Sequence, residues 1–353
     1  MKQIRTIVID DSAFMRKMLT EILNSDPSIE VVTTARNGKD GIEKIKQYKP
    51  DVITLDIEMP LLDGLEALKI IMKEHPLPVV MVSSLTQLGA ETTIQALNYG
   101  AVDFISKPSG PISLDIEKAK GEIIEKVKNA VKANFKMIVA PEPLPIELKI
   151  DVPLETNPIK KKRKIIGVGV STGGPRALQK FLTVLPADFP APILIVQHMP
   201  EKFTKSLADR LNKLSNITVK EAEHGEFLKN GTAYIAPGNY HLTVKKLGTS
   251  ITAFIDQSDP LKGHRPSVDI LFDSISGLVS YQKYAIVLTG MGTDGADGIK
   301  KLKKVDPKTQ VLAEAEESSI VFGMPKAAIH TNFVDQIVNI NGMGNALCKM
   351  IEK

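Results

Sequence analysis

Ile4-Arg5-Thr6-Ile7-Val8-Ile9 runs directly into Asp10-Asp11-Ser12. Six mostly apolar, β-branched residues read as a short strand buried on both faces. The two acids fall at its carboxyl end, and residues 14–23 behind them carry a helical period. The alternation then recurs. Residues 52–55, 78–82 and 102–105 read as further strands, with helices at 41–47, 65–73 and 92–98. A long helix over about 112–136 closes the series. Short apolar strands alternating with helices predict an α/β fold, a doubly wound parallel sheet with both faces covered.

The second half repeats this style without repeating the sequence. Residues 165–170, 192–197 and 285–289 are apolar strands, each followed by polar or glycine-rich residues and a helical pattern. Residues 217–256, punctuated by Gly225, Gly231, Gly238 and Gly248, read as an antiparallel insertion. Between the halves stand Pro141, Pro143, Pro145, Pro153 and Pro158. Proline lacks the backbone donor that helices and sheet interiors need, so this stretch reads as a semi-extended linker. The expected domains are 1–125, a helix end and linker at 126–163, and 164–353.

A length of 353 residues suits two domains. With 43% hydrophobic and 24% charged residues, the composition is that of a globular chain. No apolar run reaches the roughly 18–20 residues that cross a bilayer, and the N-terminus lacks a signal-peptide core. One cysteine, Cys348, excludes an internal disulfide and a cysteine metal cluster. A cytoplasmic location is expected. Residues 1–134 hold 17 Lys+Arg against 19 Asp+Glu, and 165–353 hold 21 against 18. Neither half has the clustered basic character of a nucleic-acid binder. The run Lys160-Lys161-Lys162-Arg163-Lys164 reads as a solvated linker end.

In an open parallel sheet, functional groups collect beyond the carboxyl ends of the strands. Asp10 and Asp11 end the first strand, Asp56 the third, Ser83 the fourth and Lys107 the fifth. Clustered carboxylates repel and raise their own pKa values, and a hard divalent cation such as Mg²⁺ relieves that repulsion. An aspartate held against Mg²⁺ and a lysine is placed to attack a phosphoryl group. Alternatively, Asp10 and Asp11 cap the following helix. Asp10-Asp11-Ser12, Leu55-Asp56-Ile57-Glu58-Met59-Pro60, Asp63-Gly64, Met81-Val82-Ser83-Ser84 and Lys107-Pro108 resemble the receiver domain of two-component response regulators. The resemblance covers about residues 1–125 and implies a flavodoxin-like domain. It implies phosphorylation of Asp56 by a histidine kinase. It also implies Mg²⁺ held by Asp11, Asp56 and the carbonyl of Glu58, with Asp10 close by. Ser83 and Lys107 would contact the phosphoryl group, and Phe104 would fill the aromatic switch position.

Gly167-Val168-Gly169-Val170-Ser171-Thr172-Gly173-Gly174-Pro175 lies between a strand and a helix. As a dinucleotide loop it lacks the third glycine, which falls on Thr172. As G-x-S-x-G, residues 169–173 make a sharp turn that projects the Ser171 hydroxyl. Glycines at such a turn are also often purely structural. A serine nucleophile needs a base and a group to orient that base. His198 ends the strand at 192–197 and fits the base role, with His264 as its rival. Asp294 follows the strand at 285–289 and fits the acid role, with Asp297, Asp269 and Asp273 as rivals or a turn or helix cap as its plain reading. The order Ser, His, Asp is not that of α/β-hydrolases.

Ser171-Thr172-Gly173-Gly174-Pro175, Gln197-His198-Met199, Ala236-Pro237-Gly238, Gly263-His264-Arg265-Pro266-Ser267-Val268-Asp269 and Leu288-Thr289-Gly290-Met291-Gly292-Thr293-Asp294-Gly295 resemble the chemotaxis protein-glutamate methylesterase family, the CheB type. The match spans about 164–350 and implies a Rossmann-like esterase domain. It implies a phosphorylation-activated serine esterase with Ser171, His198 and Asp294 as catalytic residues and the backbone amides of Thr172 and Met291 as oxyanion hole. The implied substrate is the γ-methyl ester of glutamates on methyl-accepting chemoreceptors, with deamidation of receptor glutamines as a second activity. A chemotaxis histidine kinase would be the phosphodonor and chemoreceptor arrays the place of action. No cofactor is expected for the esterase step, and no nucleic acid or membrane span. Two other classes stay open: a response regulator whose second domain only binds a partner, and a nucleotide-dependent oxidoreductase.

Overall fold

The computed structural model describes residues 3–107, 114–134 and 163–352. The proline-rich stretch at 141–158, Pro108 and Lys160 to Lys162 lie outside the described residues. The first sheet contains β1 (Ile4–Ile9), β2 (Ile29–Ala35), β3 (Val52–Asp56), β4 (Val79–Ser83) and β5 (Asp103–Ser106). Its order is β2-β1-β3-β4-β5, with every pair parallel. This is the doubly wound order of flavodoxin-like folds. Helices α1 (Ala13–Asn24), α2 (Gly38–Tyr48), α3 (Gly64–Glu74), α4 (Gln87–Tyr99) and α5 (Leu114–Lys132) cover its faces.

Short polar residues start these helices. The side chains of Ser12, Asn37, Asp63 and Thr86 each accept a backbone N–H from the first turn of α1 to α4, satisfying a donor the helix leaves orphaned. Ser12 caps α1, so the capping reading of Asp10 and Asp11 does not hold. β2 is the one strand of this sheet for which apolar periodicity gave no bounds. It is an edge strand with Glu30 exposed and four half-buried residues, so it lacks a continuous apolar run.

The second sheet contains β6 (Arg163–Val170), β7 (Ile193–Gln197), β8 (Thr218–Glu221), β9 (Thr232–Ile235), β12 (Tyr281–Val287), β13 (Gln310–Glu314) and β14 (Gln336–Val338). Its order is β14-β13-β12-β6-β7-β9-β8, again parallel throughout. Around it lie α6 (Gly174–Leu182), α7 (Phe203–Leu214), α8 (Val268–Ser276), α9 (Ala296–Val305), α10 (Met324–Ile329) and α11 (Ile340–Glu352). The antiparallel part is smaller than residues 217–256. Only β10 (His241–Leu247) and β11 (Ser250–Asp256) form an antiparallel hairpin. β8 and β9 extend the main sheet instead, β9 fully buried between β7 and β8. The basic run also needs correction: Arg163 and Lys164 begin β6, and Lys164 Nζ donates to the Ile351 carbonyl.

The two sheets share a packed boundary. The rings of Phe104 on β5 and Phe203 on α7 stack at 4.5 Å, a contact worth about 0.5–1.5 kcal/mol beyond its buried area. Gln87 Nε2 donates to Ser206 Oγ at 3.2 Å, and Lys202 Nζ to the Leu85 carbonyl at 3.1 Å. At the far end of α5, the Asn134 N–H donates to the Ile320 carbonyl at 2.8 Å.

Candidate active site

β12, β6 and β7 are neighbours in the second sheet, so their carboxyl ends open side by side. Ser171 follows β6, His198 follows β7, and Asp294 lies in the loop after β12. Val170 pairs with Gln197 across the sheet, and the His198 N–H donates to the Val170 carbonyl at 3.1 Å. This register brings Ser171 and His198 to adjacent strand ends. On the other side, the Ser171 N–H donates to the Thr289 carbonyl at 3.0 Å. The turn behind the serine needs Gly173, which has φ +78°, a left-handed conformation open to glycine. From its flank, Gln197 Nε2 donates to the Ser171 carbonyl at 3.0 Å.

Asp294 is 2% exposed and fully engaged. Its Oδ2 contacts His198 Nε2 at 2.8 Å and accepts the Val268 N–H at 2.7 Å. Its Oδ1 accepts the Ser267 hydroxyl and the Asp269 N–H, both at 2.9 Å. The carboxylate thus sits on the N-terminus of α8, where the helix dipole favours negative charge. Burial opposes ionisation, but the hydrogen bond and charge of His198 and these backbone donors outweigh it. They hold the carboxyl below the ordinary range. With Nε2 committed to Asp294, His198 Nδ1 is buried and finds no hydrogen-bond partner among the described residues. The backbone N–H groups of Thr172 and Met291 likewise donate to no described residue.

The rival residues have other roles. His264 stacks on His198 with ring centroids 4.1 Å apart and planes within 4°. Burial first, then the neighbouring His198, pushes its imidazole down to about 4, so it is neutral near pH 7. Asp297 is exposed and paired with Lys262 at 2.5 Å and Lys300 at 2.9 Å. Asp269 accepts the Gly295 and Gly298 N–H groups and so braces the loop that carries Asp294. Asp273 is exposed and pairs with Lys301. Reading by motif gave no role to Ser267 or Gln197, because their partners lie far away in the chain.

In the first sheet, Asp10, Asp11 and Asp56 each bring a carboxylate oxygen within 4.8 Å of the others. Lys107 Nζ lies 2.8 Å from Asp56 Oδ1 and 3.8 Å from Asp10 Oδ2. Burial is the main cause that pushes the Asp56 carboxyl up to about 6, with Asp10 adding to it and Lys107 opposing. Asp10 Oδ2 and Asp56 Oδ2 are buried without a hydrogen-bond donor among the described residues. Such an oxygen-rich, underpaired set fits a hard divalent cation. The Ser83 hydroxyl is not turned to this cluster: it donates to the Gly89 carbonyl at 3.2 Å and accepts from Thr93 at 2.8 Å. Phe104 is buried at the boundary against Phe203.

The sequence and fold were compared with known proteins. The CheB methylesterase family model matches residues 166–347. The chain belongs to the CheB methylesterase family. The response regulator receiver domain model matches residues 6–117, so this member carries a receiver domain ahead of the methylesterase domain. A protein-glutamate methylesterase/protein-glutamine glutaminase of Oceanobacillus iheyensis is 52% identical over 99% of this chain and 100% of its own length. A protein of the same name from Bacillus subtilis is 45% identical over 99% of both. The crystal structure of the Thermotoga maritima CheB methylesterase catalytic domain is 44% identical and superposes with a TM-score of 0.52. It covers 53% of this chain and 98% of that one. Among the described residues, no helix is long and apolar enough to cross a membrane.

Proposed function

We propose that this chain is a phosphorylation-activated serine esterase that hydrolyses glutamate γ-methyl esters on chemoreceptors, releases methanol, and deamidates receptor glutamines at the same site. The observation that supports this most is the 2.8 Å contact between His198 Nε2 and Asp294 Oδ2 beside the turn that carries Ser171. Ser171 attacks the ester carbonyl. His198 takes the hydroxyl proton on Nδ1, its uncommitted nitrogen, and then passes it to the departing methanol. Asp294 fixes the ring and stabilises its charged form. The N–H groups of Thr172 and Met291 receive the oxyanion, each such donor being worth roughly 3–4 kcal/mol. Water then cleaves the glutamyl–Ser171 ester by the same path in reverse. An amide passes through a similar tetrahedral intermediate, so glutamine is a second substrate.

Residues 1–125 act as receiver, 126–163 as helix end and linker, and 164–353 as esterase. A chemotaxis histidine kinase supplies the phosphoryl group to Asp56, and receptor arrays are the place of action. Asp11, Asp56 and the Glu58 carbonyl would hold Mg²⁺, with Asp10 beside it; when bound, the ion neutralises the charge that builds at Asp56. Lys107 pairs with the same carboxylate, and Ser83 would reach the phosphoryl group once its hydroxyl leaves Gly89. The unphosphorylated receiver restrains the esterase across the Phe104–Phe203 boundary.

Methanol release from methylated receptor is the test, for wild type and Ser171→Ala, each with and without a small phosphodonor and Mg²⁺. Serine-dependent release that rises with phosphodonor supports the reading. Release unaffected by the substitution removes Ser171 as nucleophile.

A further inference from the structure

We propose that Glu314 is a positioning residue for the esterase reaction, fixing through Thr289 the backbone on both sides of the Ser171–Thr172 peptide. The inference rests on Ser171 being the nucleophile. Glu314 ends β13 and is 1% exposed. Its Oε2 accepts the Thr289 N–H at 2.7 Å, and its Oε1 accepts the Ser318 hydroxyl at 3.0 Å. Thr289 in turn grips the nucleophile turn twice. Its carbonyl accepts the Ser171 N–H at 3.0 Å, and its hydroxyl donates to the Thr172 carbonyl at 3.0 Å. The Val321 N–H donates to that same hydroxyl at 2.9 Å. Ser318 Oγ also accepts the Ile340 N–H at 3.0 Å, which ties the carboxyl to the start of α11. One buried side chain therefore locks the ends of β12 and β13 beneath the turn.

A buried carboxyl in this place is also sensitive to charge. Arg176 and Lys180 of α6 are the charged side chains that line the small cavity against it, and Ile340 on the α11 side carries no charge. Burial pushes the Glu314 carboxyl up to about 7, against the bonds from Thr289 and Ser318 and the charge of Lys180. In the neutral form Oε2 still accepts from Thr289, and the acid O–H can donate to Ser318 Oγ while that hydroxyl turns to the Ala315 carbonyl, 3.3 Å away. The anion keeps the Thr289 bond but adds negative charge one residue behind the Ser171 turn. Turnover should therefore fall as Glu314 ionises.

The test is kcat and KM for methanol release by the full chain, activated by phosphodonor, across pH 6 to 8.5. Glu314→Gln keeps an acceptor for Thr289 and a donor for Ser318 without the charge. Its kcat is expected to match wild type within about twofold at pH 6 and to exceed it several-fold at pH 8, with KM unchanged. Glu314→Ala strands the Thr289 N–H and is expected to lose about tenfold or more in kcat. Glu314→Ala with wild-type kcat, or an effect confined to KM, overturns the proposal; a Glu314→Gln profile that superimposes on wild type overturns its charge effect. Ser171→Ala run in parallel separates the two readings: full activity there removes the nucleophile itself, whereas an inactive Ser171→Ala leaves the Glu314 profiles to decide this inference alone.

Discussion

Thr172 Oγ1 donates to Asp103 Oδ2 at 2.6 Å, so the first sheet hydrogen-bonds directly to the residue that follows the candidate nucleophile. Asp103 begins β5, the strand that also carries Phe104. Behind it, Lys126 Nζ lies 3.8 Å from Asp103 and donates to the Phe104 carbonyl at 2.6 Å. Lys126 also sits over the Phe104 ring at 5.0 Å, and the other side of the boundary is the stack on Phe203. A change in the pose of β5 therefore reaches Thr172 through one hydrogen bond.

Removing that bond should loosen the restraint. Asp103→Ala is expected to raise basal methanol release, without phosphodonor, by about tenfold, since a hydrogen bond to a charged acceptor contributes about 1.5 kcal/mol or more. The phosphodonor-stimulated rate should stay close to wild type. Unchanged basal turnover would mean that this contact does not restrain the site.

The sequence made some of this legible for a physical reason. β1, β3 and β4 are apolar runs buried on both faces, so their periodicity and the residues at their carboxyl ends could be read together. Ser171, His198 and Asp294 lie at such ends. β8 was misread because an exposed edge strand alternates like an antiparallel one: Thr218 is exposed and Val219 buried. Ser267, Gln197 and Glu314 act through partners 25 or more residues away in the chain. No local pattern encodes those pairings. His264 was the rival base in the sequence; only the stack on His198 shows its place.

The depressed His264 imidazole gives a stability signature. Its folded value of about 4 lies below the ordinary 6.5, so between those pH values the unfolded chain binds more protons. Stability should be complete above pH 6.5 and fall as pH drops toward 4. His264→Phe keeps an aromatic face on His198 without the titration. Urea midpoints at pH 4.5, 5.5 and 7 should drop less on acidification in the variant than in wild type. Parallel drops would show that His264 does not carry the effect.

Asp56 has the opposite sign. Its folded value of about 6 lies above the ordinary 3.8. The folded chain therefore holds the extra proton, and stability declines as pH rises from about 4 to 6. Metal-free Asp56→Asn should melt a few degrees above wild type at pH 7.5, and the gap should narrow at pH 4.5. Adding Mg²⁺ should raise the wild-type melting temperature and barely move that of the variant, which should also show no phosphodonor stimulation. A variant that melts below wild type at pH 7.5 would contradict the burial cost assigned to this carboxylate.

Gly290 packs directly against the nucleophile turn. A Cβ placed there would lie 2.7 Å from Ser171 Cβ and 2.6 Å from Met324 Sδ. The thioether can swing aside, but Ser171 cannot retreat: its N–H is bonded to Thr289 and its carbonyl to Gln197 and the Gly174 N–H. Gly290→Ala must therefore displace its own backbone and with it the Met291 amide that follows. A displacement near 1 Å costs on the order of 100-fold in turnover, whereas overpacking costs about 1–3 kcal/mol of stability. The expected result is a folded protein with kcat down about 100-fold and Asp56 still phosphorylated normally, measured by methanol release beside phosphodonor labelling. A variant with wild-type kcat would mean that Ser171 and the Gly290 backbone need not lie this close for the reaction.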